Sequence, residues 1–136
     1  MPNGIDLLVA DHEVVKQRFA DFEKTHNGAI IASLIDAVKG HDEAEHAALY
    51  PMCEQVLDDV ALVARCEAAH SEIKRGIDVV LGLEGPALIA AARDLRLLIE
   101  LHADEEENVL FPALTKAASP AQLEVLGARL LQAKHR

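Results

Sequence analysis

The chain has 136 residues, 51% of them apolar but only 3% aromatic, and a formal net charge of −10 at pH 7. That length suits a single domain, residues 1–136, able to bury about two-thirds of its unfolded surface in one core. The acidic balance excludes a nucleic-acid partner, which would need clustered Lys and Arg against phosphate, and equally an anionic membrane surface.

No run of about 18 apolar residues offers a membrane span. The N-terminal stretch MPNGIDLLVADHE lacks the basic and apolar regions of a secretory signal. Cys53 and Cys66 form no CxxC pair and are too few for a disulfide or zinc framework, so both read as small buried hydrophobes in a cytoplasmic protein.

Leu and Ala dominate while β-branched residues are scattered, which favours helices throughout. The first helix is expected over roughly 6–25, with Leu8, His12, Val15, Phe19 and Phe22 on one face at steps of three and four residues. Asn27-Gly28 breaks the chain before a second helix over roughly 29–57, whose stripe is Leu34, Val38, His41, Glu45, Ala48 and Met52. A third, over about 59–81, carries Val63, Cys66, His70, Ile73, Ile77 and Val80. Gly82, Gly85 and Pro86 then precede a fourth over about 87–117, with Leu88, Leu95, Leu98, His102, Glu106, Val109 and Ala113. Ser119-Pro120-Ala121-Gln122 supplies an N-cap, a Pro at the first helical position and a Gln at the third, starting a short fifth helix. Pro51 and Pro112 fall inside the second and fourth helices and should kink them. One apolar stripe per helix and short connections predict an all-α, up-down-up-down four-helix bundle with a short fifth C-terminal helix.

The chain also repeats itself. HDEAEHAALYP (41–51) and HADEEENVLFP (102–112) align without gaps, and DHEVVK (11–16) aligns with AHSEIK (69–74). Two similar helical hairpins follow, each giving a His from one helix and His-x-x-x-Glu from the next. Four histidines (His12, His41, His70, His102) and two glutamates (Glu45, Glu106) therefore interrupt the apolar stripes at matching places. A His and a Glu four residues apart lie about 40° apart around a helix and about 6 Å along it. Burying such carboxylates costs several kcal/mol unless a cation compensates, and no Lys or Arg shares their stripes. Two metal ions, each with two imidazoles and both carboxylates bridging, satisfy all six groups.

Imidazole and carboxylate donors without thiolate suit iron, zinc or manganese. The absence of HExxH removes a metalloprotease. Glu-x-x-His, the ligand string of ferritin-like bundles, occurs at Glu23–His26, Glu43–His46 and Glu67–His70 but not on the fourth helix, and His46 lies off the stripe. Asp104, Glu105 and Glu107 read as a solvated run beside it.

His12, His41-x-x-x-Glu45, His70 and His102-x-x-x-Glu106, with their LYP and LFP tails, resemble the hemerythrin-like (HHE) domains across essentially the whole chain. The resemblance implies a non-haem centre of two iron ions with a bridging oxygen and a small exogenous ligand: peroxide, O2, NO or another anion. The oxygen-carrying members have a second His one turn after the third-helix His, where this chain has Lys74, and His-x-x-x-x-Asp on the fourth helix. The chain thus resembles a four-His, two-Glu subgroup with one nitrogen ligand fewer, which argues against reversible oxygen storage. Two ferric ions with one oxide and two carboxylates leave such a centre cationic, hence attractive to anions. Tyr50, the sole tyrosine, points away from His41 and Glu45 on an ideal helix, as a core aromatic like Phe111 would. A kink at Pro51 offers it a route to the metals, so Tyr50 is a candidate extra ligand or neighbour of the ligands. Lys74 reads as a flanking surface charge.

Open coordination on paired redox metals makes hydrogen peroxide disproportionation, or related defence against oxidative and nitrosative stress, the leading expectation, with the two irons themselves as the catalytic group. The alternative is a module that binds or senses oxygen, nitric oxide or iron without turnover. A structural zinc site fits less well, because such sites close with four ligands rather than six spread over four helices. A monomer or weak homo-oligomer is expected.

Overall fold

The computed structural model describes residues 3–134 and has the expected architecture. Helices α1 (Gly4–Thr25) and α2 (Gly28–Ala44) form the first hairpin, and α2 runs through a π-helical turn, Glu45–Leu49, into α3 (Tyr50–Val56). Helices α4 (Val60–Leu81) and α5 (Gly85–Glu105) form the second hairpin, and α5 passes through a matching π-turn, Glu106–Leu110, into α6 (Phe111–Ala117). Helix α7 (Pro120–Lys134) closes one end of the bundle. Each long rod of the four-helix bundle is thus α1, α2–α3, α4 or α5–α6. No described helix is long and apolar enough to cross a membrane.

Local chemistry sets the ends. Asn3 caps α1 through Ile5 N–H (2.8 Å), Asn27 caps α2 through Ala29 N–H (3.0 Å), and Asp59 caps α4 through Leu62 N–H (3.0 Å). Between the first two, His26 takes a left-handed conformation (φ 53°), ending α1 as its N–H reaches Phe22 O at 2.7 Å. At α7 the anticipated capping box is reciprocal: Gln122 N–H donates to Ser119 Oγ (3.1 Å) and Ser119 N–H to Gln122 Oε1 (2.8 Å).

The expected kinks take a specific form. Pro51 and Pro112 each begin just beyond a π-turn, closed by Tyr50 N–H to Glu45 O and Phe111 N–H to Glu106 O. A proline ring clashes with the carbonyl four residues back, and one widened turn makes room for it. The extra residue in the turn also changes which side chains face inward. Leu110 and Phe111 are buried whereas Val109, placed on the stripe by ideal α-helical spacing, is 45% exposed.

Two apolar clusters flank a polar layer. One holds Val15, Phe19, Phe22, Leu34, Ile77 and Leu95. The other holds Leu8, Leu49, Cys53, Cys66, Leu114 and, from α7, Leu126 and Leu130. Gly4 lets α1 lie directly on α7, since a Cβ there would overlap the Leu126 side chain. In each long rod the histidines fall where the chain passes from one cluster to the other, so the polar layer is walled by hydrocarbon on both sides.

Candidate metal centre

All six expected residues converge in that layer. Glu45 and Glu106 are completely buried, His12, His70 and His102 are buried, and the His41 side chain is only 12% exposed. Their atoms fall into two groups, one made by His12, His41, Glu45 and Glu106 and the other by Glu45, His70, His102 and Glu106. In the first, His12 Nε2 lies 3.2 Å from Glu106 Oε1 and His41 Nε2 lies 3.2 Å from Glu45 Oε2. In the second, His70 Nε2 lies 2.8 Å from Glu45 Oε1, and His102 Nε2 lies 3.2 Å from Glu106 Oε2 and 3.6 Å from Glu45 Oε1. Each carboxylate therefore offers one oxygen to each group.

The outer ring nitrogens explain which way the imidazoles point. His12 Nδ1 lies 2.8 Å from Glu107 Oε2, and His41 Nδ1 lies 3.0 Å from Asp11 Oδ2. His70 Nδ1 contacts Asp42 Oδ1, with His46 Nε2 3.0 Å away. A carboxylate at Nδ1 puts the proton there and turns the Nε2 lone pair inward. Asp11 is itself held by Lys134 at the end of α7.

Those inward lone pairs face carboxylate oxygens. His12 Nε2, His41 Nε2, Glu45 Oε2 and Glu106 Oε1 are all buried and make no hydrogen bond despite their proximity. Among the described residues, no Lys or Arg contacts either glutamate. Lone pairs aimed at one another inside hydrocarbon need either extra protons or a cation among them. The donor set, imidazole and carboxylate, fits a first-row divalent or trivalent metal.

Proton affinities describe the metal-free alternative. Burial by itself pushes His41 down, but the Glu45 carboxylate, aided by Asp11, carries it up to about 10. Burial likewise opposes His102, and hydrogen bonds to Glu106 and Glu45 carry it up to about 10. His70 is also raised against the effect of burial, through Asp42 and Glu45. For Glu45, burial favours the neutral acid, yet His41, His102 and His70 hold its carboxyl well below the usual range.

Tyr50 reaches the layer. Its hydroxyl lies 2.9 Å from His70 Nε2, 3.1 Å from Glu106 Oε2 and 3.4 Å from Glu45 Oε1. The re-aiming comes from the π-turn: one extra residue between Glu45 and Tyr50 rotates the phenol inward. Its counterpart Phe111, which lacks a hydroxyl, stacks against His12 at 6.1 Å. Burial first, then the Glu45 and Glu106 charges, push the Tyr50 phenol strongly upward, so it stays protonated in the metal-free protein.

One expectation needs correction. Glu107 is not simply solvated, because the π-turn swings it onto His12. His46 stays at the rim, its side chain 41% exposed, but touches the outer face of His70. Asp11 and Asp42 were not anticipated at all; their signal was adjacency, each lying next in sequence to a candidate His. Lys74 is exposed and lines a separate surface groove. Cys53 and Cys66 are buried and free, and burial pushes both thiols up to about 12, away from the thiolate form a metal prefers. Beside the centre lies a cavity of about 30 Å³ walled by Val15, Val38, Ile73, Ile99 and Ala103 together with the four histidines.

A helical bundle with convergent imidazoles and carboxylates between two apolar clusters is the architecture of a cation-binding bundle protein. The chain belongs to the hemerythrin HHE cation-binding domain family, whose model matches residues 3–114. A crystal structure of a hemerythrin HHE cation-binding domain-containing protein from Mycobacterium kansasii shares the fold, with a TM-score of 0.85 at 24% identity over 99% of this chain and 89% of that one. No curated protein sequence matches the chain.

Proposed function

We infer that His12, His41, Glu45, His70, His102 and Glu106 would hold two iron ions, with each carboxylate offering an oxygen to both donor groups, and that the protein disproportionates hydrogen peroxide. The observation that supports two ion positions is the split of each carboxylate: one oxygen of Glu45 and one of Glu106 belong to each donor group. Two iron ions would supply Lewis acidity and the capacity to take up and return two electrons, as one peroxide goes to two waters and another to dioxygen.

The chain's own residues do the rest. Asp11, Asp42 and Glu107 fix three imidazoles in the tautomer that presents Nε2. Tyr50 holds a proton at its hydroxyl oxygen within reach of Glu106, and is placed to serve as a further oxygen donor beside His70. Apolar clusters on both sides of the layer limit the approach of bulk water. A cavity of about 30 Å³ has room for roughly two waters, on the scale where one needs about 10–15 Å³, which suits peroxide or a diatomic and excludes an organic substrate.

Iron-loaded protein given hydrogen peroxide should evolve oxygen well above an equal amount of free iron. The activity should vanish in Glu106→Ala protein, and Tyr50→Phe should change its rate while both irons stay bound. Oxygen release no greater than that of free iron would remove the enzymatic reading. The almost wholly apolar cavity wall favours a second one, a binding module for O2 or NO. A spectrum that cycles reversibly between air and nitrogen, with no turnover of peroxide, would select it.

A further inference from the structure

The internal repeat that places the ligands in matching pairs is broken around them, and the break falls on one metal position. Aligned by the repeat, Asp11 corresponds to Ala69, His41 to His102, Asp42 to Ala103, and His46 to Glu107. Three of the four imidazoles have a carboxylate on Nδ1: His41 has Asp11, His12 has Glu107, and His70 has Asp42. The position that would serve His102 as Asp11 serves His41 holds Ala69. His102 Nδ1 is accordingly buried without any hydrogen-bond partner.

Resting on the dinuclear reading above, we propose that the two metal positions are unequal. The ion held by His12 and His41 is the retained one, and the ion held by His70 and His102 is the exchangeable one, with Ala69 as the residue that makes it so. A carboxylate on the far nitrogen raises the basicity of a ligating imidazole and locks the ring orientation; losing it costs 10–100-fold in metal affinity. The first position has this support on both imidazoles and the second on one only, and Tyr50, whose hydroxyl lies beside His70, does not reach His102 Nδ1 to supply what is missing. No hydrogen bond on Nδ1 holds the His102 ring in place. Loss of metal, or its replacement by another divalent ion, then begins at His102.

The missing support can be installed. Ala69 is half-buried and lines, with His102, a surface groove between α4 and α5. Asp11 stands in the same relation to His41, one residue before the hairpin's first histidine. Arg65, which donates to Glu105 at 3.3 Å, lies in that groove with Glu72.

The test is release kinetics. Protein carrying two equivalents of cobalt(II) is mixed with excess EDTA and followed by its visible absorption. Wild type should release the ions in two phases of equal amplitude differing in rate tenfold or more. Ala69→Asp should slow the fast phase about tenfold or more, so that both ions leave near the wild-type slow rate, and Asp11→Ala should speed the slow phase about 10–100-fold, so that no phase as slow as the wild-type slow one remains. Release of both ions in a single phase overturns the proposal, as does a folded, two-cobalt Ala69→Asp protein with wild-type kinetics. Should Ala69→Asp fail to fold, Asp11→Ala decides alone: a slow phase that persists at its wild-type rate overturns it. Wild type that takes up fewer than two cobalt ions is a separate outcome, and removes the dinuclear reading together with this one.

Discussion

Replacing Glu106 or Glu45 by Ala is expected to strip both metal ions from the protein, not one. Each carboxylate contributes an oxygen to both donor groups, so a single substitution removes one ligand from each ion and the link between them. The loss in affinity should exceed the roughly 10–100-fold that removal of an outer hydrogen-bond partner costs. The helices should survive, because the flanking apolar clusters do not depend on the two glutamates. Metal analysis after gel filtration, beside a far-ultraviolet circular dichroism spectrum, reads the result. A folded Glu106→Ala protein that keeps two ions would contradict the bridging role.

The second large effect is on protons. Without metal, His41 and His102 titrate near 10 and are charged at neutral pH, balancing the buried carboxylates. Metal binding must displace those two protons, since imidazolium has no lone pair to offer. His70 is raised as well, so loading at pH 7.5 should release at least about two protons per chain, and the overall binding constant should fall at least about a hundredfold for each unit of acidification. The raised histidines also set how the metal-free fold responds to pH. Their contribution is fully present below their ordinary value of 6.5 and is lost as pH rises through about 10. Glu45, held low, contributes above its ordinary value of 4.5 and less in stronger acid. Metal-free protein should thus melt highest between about 4.5 and 6.5 and lower toward alkaline pH. Loading without proton release, or a melting temperature flat to pH 10, would show that the histidines are neutral in the empty site.

What was legible in the sequence is what helical periodicity carries. His41 and Glu45, like His102 and Glu106, are four apart and share a face whatever the details of packing. The repeat made the six residues recognisable as one set, where His12 alone would pass for a core histidine. The π-turns were not legible, because no residue preference marks them; only Pro51 and Pro112 pointed to a disturbance, without its geometry. Everything that depends on those turns was therefore misplaced or left open. An ideal helix aims Tyr50 away, puts Val109 inside and leaves Glu107 in solvent. The partners at Nδ1 escaped for another reason. Asp11 and Asp42 read as ordinary polar-face residues until the hairpins bring them against histidines of the neighbouring helix.

Buried carboxylates and imidazoles inside a hydrocarbon bundle require cations among them. Metal content of the natively purified protein, with its thermal melting before and after exhaustive chelation, tests this most directly. Two metal ions per chain are expected, with a loss of about 10 °C or more once they are withdrawn, because a ligand present at about 1,000 times its dissociation constant stabilises the fold by about 4 kcal/mol. Protein that emerges without metal, takes none up, and melts at the same temperature with and without chelator would contradict it.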